Sequence, residues 1–213
     1  MHVEYLIVDD KKMSKSLGNT YTIPDVVEKG FRPSAVRYLL LSAHYRKQLN
    51  FTWTSLGMAE EALRRLTDFL ARLSGVTRDG SHAEIAARVA QARTEFADAM
   101  GDDLNTAAAL GAIFELVRAL NASIDGGAVG AGDVTVIRQA FDEFDQVLGV
   151  FSLRQAEDVL PPVPVDEIER LIEERHAARR RRDFAAADSI RKDLMARGVL
   201  LEDNAAGTRW KRK

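Results

Sequence analysis

Residues 56–73 have the sequence LGMAEEALRRLTDFLARL, in which apolar side chains recur at the three- and four-residue spacing of one helix face. This spacing predicts a helix over residues 55–74 that ends at Ser74 and Gly75. A helix with one apolar face must pack that face against other elements. The predicted inward-facing side chains are Leu56, Ala59, Leu63, Leu66, Leu70 and Leu73.

The same periodicity predicts three more helices further along the chain. One begins at Ser81, where Glu84 three residues later indicates a capping box. The next covers about 106–124 and the last about 133–149. Four amphipathic helices with short joins are typical of an antiparallel bundle.

Shorter elements are predicted on the N-terminal side of this bundle. Residues 3–8 have the composition of a strand, and residues 11–19 form a polar loop. A helix is expected from Pro33 and Ser34 through Tyr45 or beyond.

The proline-rich segment 161–164 marks the clearest boundary, because proline cannot continue a helix. Beyond it, Asp166 and Glu169 predict another capped helix. A second helix is expected over about 184–197. Two short strands, 199–201 and 208–211, are expected around a turn at 203–207.

Composition bounds the classes of protein to which the chain can belong. Hydrophobic residues make up 46% of the chain, which is enough for a packed core. There is no cysteine, which excludes disulfides and thiolate metal sites. We find no apolar run near 18 residues and no signal-peptide pattern, so we expect a cytoplasmic protein without a membrane span.

Charge is distributed unevenly along the chain, whose net charge is −2. Residues 161–213 contain 13 Lys and Arg against 10 Asp and Glu, a local charge of +3. The remaining residues therefore carry −5. A basic patch of this kind fits an anionic partner, and a solvated helix face explains it equally well.

The motif with the clearest chemistry is KMSKS at Lys12–Ser16, which lies in a loop just after a predicted strand. Two lysines on such a loop can meet the negative charge that builds on phosphate oxygens. Small serines let the backbone approach the phosphates. The alternative interpretation is an ordinary solvated basic loop.

Several further segments, together with this motif, resemble one known family. Residues 96–106 contain an AM-DD-NT pattern that is similar to a stretch of that family. The stretches 36–46, 171–191 and 201–212 are similar to further stretches of it. Together with KMSKS they resemble the C-terminal half of cysteinyl-tRNA synthetase, a class I aminoacyl-tRNA synthetase. The resemblance covers nearly the whole chain.

The resemblance implies a mainly α fold in three parts. Residues 1–50 would end the catalytic domain, with the KMSKS loop and a stem-contact region that includes His44, Tyr45 and Arg46. Residues 51–160 would form the helical bundle of the anticodon-binding (DALR) type. Residues 161–213 would form a small α+β anticodon-recognition domain.

The resemblance also assigns site residues and partners. Lys12 and Lys15 would act catalytically on ATP, and Ser14 and Ser16 would complete the ATP-binding loop. The implied RNA partner is tRNA(Cys), with its anticodon contacted by Arg179, Phe184, Asp188 and Asp203.

Each of the four anticodon-binding assignments has chemistry that suits unpaired bases. An aromatic ring at 184 can stack on a base, and Arg179 can donate in fork geometry to guanine or phosphate. Asp188 and Asp203 can accept from base amino groups. The structural alternatives are a core position for Phe184, a helix-face ion pair for Asp188 and a turn-forming role for Asp203.

Two features of the family are absent from this sequence. There is no HIGH-type signature, and the zinc that the family holds through Cys, His and Glu has no ligands here, so no metal site is predicted. We therefore expect this chain to be inactive alone in cysteine activation and to need a catalytic half that is either missing from this sequence or carried on a separate chain. Alternatives are a free-standing tRNA-binding module, the related ligase of mycothiol synthesis and a generic helical scaffold.

Overall fold

The computed structural model is mainly α-helical with two small sheets, as predicted. It divides into two compact units, Met1–Arg154 and Gln155–Lys213, which are called here the N-terminal and C-terminal units. The three-part division at residues 50 and 160 stays a prediction. The structure describes residue 4 and the ranges 6–159, 163–204 and 207–212.

Some predicted features lie outside the described residues. These are Val3 and Tyr5 of the first strand, Pro161 and Pro162 of the proline-rich segment, and the turn centre 205–206.

The N-terminal unit begins with a small three-stranded sheet of order β2-β1-β3. β1 (Leu6–Val8) pairs antiparallel with β2 (Lys11–Lys12) and parallel with β3 (Leu49–Phe51). The predicted polar loop is therefore partly a strand, and β3 was not predicted. The helices of this part are α1 (Ile23–Glu28) and α2 (Pro33–Leu41).

The bundle is built from four helices, and their positions confirm the apolar periodicity. α4 packs on α5 and α6, and α3 packs on α2 and α5. The core includes Leu63, Ile113 and Phe144, and Phe69 is buried on α3 where Leu70 was expected. The four helices are α3 (Trp53–Ser74), α4 (Ala83–Gly101), α5 (Thr106–Asp125) and α6 (Ala131–Leu148). A further helix, α7 (Phe151–Val159), follows them and was not predicted.

Two predicted helix ends in this unit are wrong. α2 stops at Leu41 rather than near Tyr45, because the Ser42 hydroxyl donates to the Leu39 carbonyl and competes with the helix. α4 has no Ser81 capping box: its first cap residue is His82, whose backbone N–H donates to the Asp133 carboxylate. A carboxylate from another helix therefore replaces the local cap.

The apolar helix α5 meets the length and composition of a membrane span. In this structure its apolar residues form the centre of the bundle, with Leu110, Ile113 and Leu120 buried. The buried core helix of a bundle can have the same length and apolar composition as a membrane span. The expectation of no membrane span therefore stays a prediction.

The C-terminal unit packs two helices against a hairpin. α8 (Val165–Arg180) contacts α9 (Phe184–Ala196), and α9 contacts β4 (Val199–Asn204), which pairs antiparallel with β5 (Gly207–Arg212). Its core consists of Val163, Ile168, Leu194, Val199 and Leu201.

The predicted capping box of Asp166 and Glu169 in this unit is wrong. α8 already begins at Val165, because the carbonyl of Pro164 accepts the backbone N–H groups of Glu167 and Ile168. Asp166 lies inside the first turn, where a carboxylate stabilises the positive end of the helix dipole.

Candidate functional site

The KMSKS loop, Lys12–Ser16, begins on the second strand of a tight hairpin. Val8 pairs with Lys11, which leaves Asp9 and Asp10 as a two-residue turn with φ values of 48° and 62°. Two positive φ values fit the twist of a hairpin, and Asp is among the residues that tolerate them. The side chain of Asn50 holds this turn: its Nδ2 lies 2.8 Å from Asp10 Oδ1, and its Oδ1 accepts from the Asp10 N–H at 3.2 Å.

Side-chain hydrogen bonds also define the interior of the loop. Ser14 caps a short 3-10 turn, Lys15–Leu17, by accepting the Leu17 N–H on its hydroxyl. Gly18 ends the turn in the left-handed region at φ 64° and returns the chain toward Ser14. The Asn19 carboxamide then bridges the loop from within: its Oδ1 accepts the Ser14 N–H at 2.8 Å.

The loop presents its polar side chains outward. The side chains of Lys12, Lys15 and Ser16 are exposed, and the Ser14 and Ser16 hydroxyl oxygens lie 3.2 Å apart. Met13 is half-buried and packs against the core. The structure therefore brings both predicted lysines and both predicted serines onto one short loop, where their cationic and hydroxyl groups suit an anionic ligand.

A second conspicuous cluster joins residues 44–46 to the AM-DD-NT pattern. Asp103 accepts from Tyr45 Oη at 2.5 Å and from Arg46 Nε at 2.6 Å. These hydrogen bonds, first from Arg46 and then from Tyr45, lower the pKa of the Asp103 carboxyl. Asp103 and Leu104 both have positive φ, at 53° and 55°. Such backbone strain in residues other than glycine persists only where surrounding contacts fix it.

In the C-terminal unit the predicted residues Arg179 and Asp203 lie together. Arg179 Nη1 is 3.4 Å from Asp203 Oδ2. Asp203 sits within β4, so its interpretation as a turn former is wrong. Its main partner is Arg175, whose two terminal nitrogens lie 2.9 and 2.6 Å from the two carboxylate oxygens.

The Arg175 side chain is 1% exposed, so it acts inside the unit and cannot touch RNA. The Thr208 hydroxyl donates to Asp203 Oδ1 at 2.7 Å and lies 2.8 Å from His176 Nε2. Hydrogen bonds from Arg175, and then from Thr208, hold the pKa of the Asp203 carboxyl well below its usual range. This network fixes Asp203 in its ionised form beside Arg179.

Phe184 begins α9 and is 62% exposed. The core interpretation of Phe184 is therefore wrong. The preceding residue, Asp183, caps the helix by accepting the Ala186 N–H, and Arg182 has a left-handed φ of 61°. The exposed Asp188 lies on the same helix and contributes to the electrostatic field at Arg175.

Sequence reasoning missed three residues that shape these sites. Asn19 and Asn50 carry no signal beyond their position next to a loop and a strand. Arg175 has a recognisable sequence signal, because it continues the apolar stripe of Ile168 and Ile172 at helical spacing. An arginine in a core position requires a carboxylate partner.

The residues present do not fit the zinc site of the family. The chain has no cysteine, and within the described residues no three His, Asp or Glu side chains converge.

Models of known protein families match three regions of the chain. A family model of the class I (C) tRNA synthetase catalytic domain matches residues 1–61, and a DALR domain matches residues 95–154. A solved LeuRS from Agrobacterium radiobacter K84 (agnB2), in complex with tRNA and LeuAMS, shares the fold. Its TM-score is 0.50 at 24% identity, and the match covers 71% of this chain and 22% of that chain. This likeness shows a shared fold over the matched part of the chain.

A model of the cysteinyl-tRNA ligase anticodon-binding domain matches residues 164–210. Cysteine–tRNA ligases from Solibacter usitatus and Geobacter sulfurreducens are 44% and 41% identical over the whole chain. This chain covers 45% and 47% of them, so it spans about half the length of the curated relatives it matches. It belongs to the cysteinyl-tRNA synthetase family and corresponds to the C-terminal part of that family.

Proposed function

We propose that this chain is the C-terminal portion of a cysteine–tRNA ligase that binds ATP phosphates at the KMSKS loop and tRNA(Cys) through its C-terminal unit. The observation that carries the proposal is the exposed ring of Phe184. An exposed aromatic ring at the start of a helix, next to a basic segment, offers a stacking surface for an unpaired base. The neighbouring Arg179–Arg182 segment supplies charge for the RNA backbone.

The C-terminal unit can distinguish bases as well as attract phosphate. Arg179 presents a guanidinium that can donate to base acceptors, and Asp188 and Asp203 present carboxylates that can accept from base amino groups. The Asp203 carboxylate already accepts from Arg175 and Thr208, but it is 41% exposed and has lone pairs left for a further donor.

Binding of a tRNA(Cys) transcript to the purified chain tests the RNA part of this proposal. Phe184→Ala should weaken binding by about 1–3 kcal/mol if the ring stacks on a base. Met195→Ala, at another exposed apolar position on α9, is the matched control and should bind as the parent does. Affinity should fall as salt rises, because bound counterions are released. Equal affinity for a transcript with a scrambled anticodon would contradict base recognition.

The catalytic part of the proposal concerns Lys12 and Lys15. Their ammonium groups would stabilise the charge that develops on the departing pyrophosphate. The chain alone would not activate cysteine, and a catalytic half with the HIGH-type signature and the zinc ligands would restore activity. Cysteine-dependent pyrophosphate exchange, measured with and without that half, tests this. Exchange by the 213-residue chain alone would contradict the proposal.

The alternative is a free-standing tRNA-binding module in the cytoplasm with no catalytic role. The match of residues 164–210 to an anticodon-binding domain supports it, because RNA binding there needs no catalytic group. The Lys15→Ala variant separates the two proposals in the mixed assay. If the parent chain supports aminoacylation and Lys15→Ala loses it with unchanged tRNA affinity, the chain is a ligase portion. If neither the parent chain nor Lys15→Ala supports aminoacylation, the chain is a binding module.

A further inference from the structure

We propose that Asn19 is a positioning residue that sets the shape of the KMSKS loop for phosphate binding. Asn19 lies outside the five-residue motif, and neither the resemblance nor the comparisons assign it a role. The inference rests on the proposed phosphate-binding function of Lys12 and Lys15.

The geometry is a two-point clamp across the loop. Asn19 Oδ1 accepts the Ser14 N–H at 2.8 Å, and Asn19 Nδ2 donates to the Lys12 carbonyl at 3.2 Å. These two backbone groups flank Met13. One carboxamide therefore fixes the peptide groups on both sides of that residue.

The network determines the orientation of this amide. If the oxygen and nitrogen of Asn19 were exchanged, two N–H donors would face each other at Ser14 and two oxygens would face each other at Lys12. The backbone delivers Asn19 to this position because the 3-10 turn ends at Gly18, whose φ of 64° reverses the chain. The Gly18 N–H closes the turn on the Lys15 carbonyl at 3.2 Å.

Met13 also fixes the loop, through contacts with the core and with β1. Its side chain packs against the core, and its backbone N–H donates to the Leu6 carbonyl on β1. With Met13 held by the core and its flanking peptides held by Asn19, the side chains of Lys12 and Lys15 are left facing outward. Asn19 thus acts on a bound phosphate through the backbone of the loop and not by touching the phosphate.

The clamp has a matched set of variants at neighbouring positions. Asn19→Ala removes both hydrogen bonds. Asn19→Asp keeps the acceptor for the Ser14 N–H but replaces the donor to the Lys12 carbonyl with an oxygen. Thr20→Ala and Thr20→Asp are the controls, because they make the same changes one residue away on an exposed side chain.

The experiment titrates the full chain with inorganic tripolyphosphate and follows the backbone amide resonances of residues 12–17 by NMR. We expect Asn19→Ala to raise the dissociation constant about three- to tenfold relative to Thr20→Ala, the range for a lost hydrogen bond. Asn19→Asp should do the same relative to Thr20→Asp. Hydrogen exchange of the Ser14 amide should accelerate in Asn19→Ala, and unchanged resonances of α3–α6 would show that the variants are folded.

Lys12→Ala and Lys15→Ala separate the two levels of the proposal. If the lysine variants weaken tripolyphosphate binding but Asn19→Ala binds like Thr20→Ala, the positioning role is overturned and the proposed function stands. If the lysine variants bind as the parent does, the phosphate-binding function of the loop fails, and the role of Asn19 fails with it.

Discussion

Arg46 and Asp103 are 57 residues apart in the sequence and form a two-point ion pair, with Nε 2.6 Å from Oδ2 and Nη2 3.2 Å from Oδ1. The pair joins the segment that follows α2 to the turn between α4 and α5. The same segment also contacts the residue two positions before β1, because the Tyr45 carbonyl accepts the Glu4 N–H at 3.1 Å. Both residues of the pair lie in segments that the resemblance singles out.

Replacing Asp103 with Asn tests what this ion pair contributes. Asn also tolerates the left-handed backbone at this position, so Asp103→Asn removes charge without adding strain. We expect a small drop in thermal midpoint at about 0.05 M salt that largely disappears near 1 M, because salt screens exposed pairs. Asp103→Ala should lower the midpoint further at both salt concentrations, because it adds backbone strain. Identical midpoints for the two variants would contradict this account.

Asp133 predicts a dependence of stability on pH. Burial alone would raise the pKa of its carboxyl, but hydrogen bonds from the His82 side chain and from the Gly130 and His82 backbone N–H groups outweigh burial and lower the pKa. A lowered pKa contributes stability above the unfolded-state value of about 3.9, and this contribution is lost as pH falls through the folded-state value.

The variant Asp133→Asn should therefore reduce the free energy of unfolding by about 1–3 kcal/mol at neutral pH. The difference from the parent protein should shrink as the pH falls below about 3.9, because the unfolded chain then takes up a proton at Asp133 before the folded chain does. Urea unfolding across this pH range measures it. A deficit that is constant down to pH of about 3 would show that charge is not the cause.

Gly130 and Gly111 predict opposite responses to the same substitution. A Cβ on Gly130 would lie 2.4 Å from the Gly80 carbonyl oxygen, so the backbone must shift. We expect Gly130→Ala to cost about 1–3 kcal/mol of stability. Gly111 lies inside α5, and a Cβ there would have no other heavy atom within 4 Å, so Gly111→Ala should stabilise by about 1 kcal/mol. Denaturant unfolding of both variants measures the contrast, and equal signs would contradict it.

Arg175 and Asp203 predict an asymmetry between the two partners of an ion pair. Asp203→Asn leaves a buried guanidinium without its carboxylate, and should cost about 2–3 kcal/mol. This is below the cost for a fully buried pair, because Asp203 is 41% exposed. Arg175→Met replaces the charge with an apolar chain of similar length and should cost less than about 1.5 kcal/mol.

Fluorescence isolates the C-terminal unit in this experiment. The chain has two tryptophans, Trp53 on α3 and Trp210 on β5, so a Trp53→Phe background leaves only Trp210 to report. The double variant Arg175→Met with Asp203→Asn should be more stable than Asp203→Asn alone. A double variant as unstable as the sum of the two single changes would refute coupling of the two charges.

The bundle helices were predictable because their signal is local. Each helix repeats apolar residues every three or four positions, and burial of one face is enough to select that conformation. The KMSKS loop was predictable in the same sense, since five consecutive residues carry it. Helix ends were less predictable than helix interiors. The cap expected at Ser81 is replaced by the Asp133 carboxylate of another helix, and the cap expected at Asp166 is replaced by the Pro164 carbonyl.

What the sequence alone determined is therefore the family, the helical periodicity and the position of the KMSKS motif. Only the tertiary structure decided which charges meet: Arg46 with Asp103 and Arg175 with Asp203. The physical reason is that a hydrogen bond acts over about 3 Å in space, whatever the separation along the chain. A pattern of neighbouring residues cannot encode such a contact until the packed core brings distant segments together.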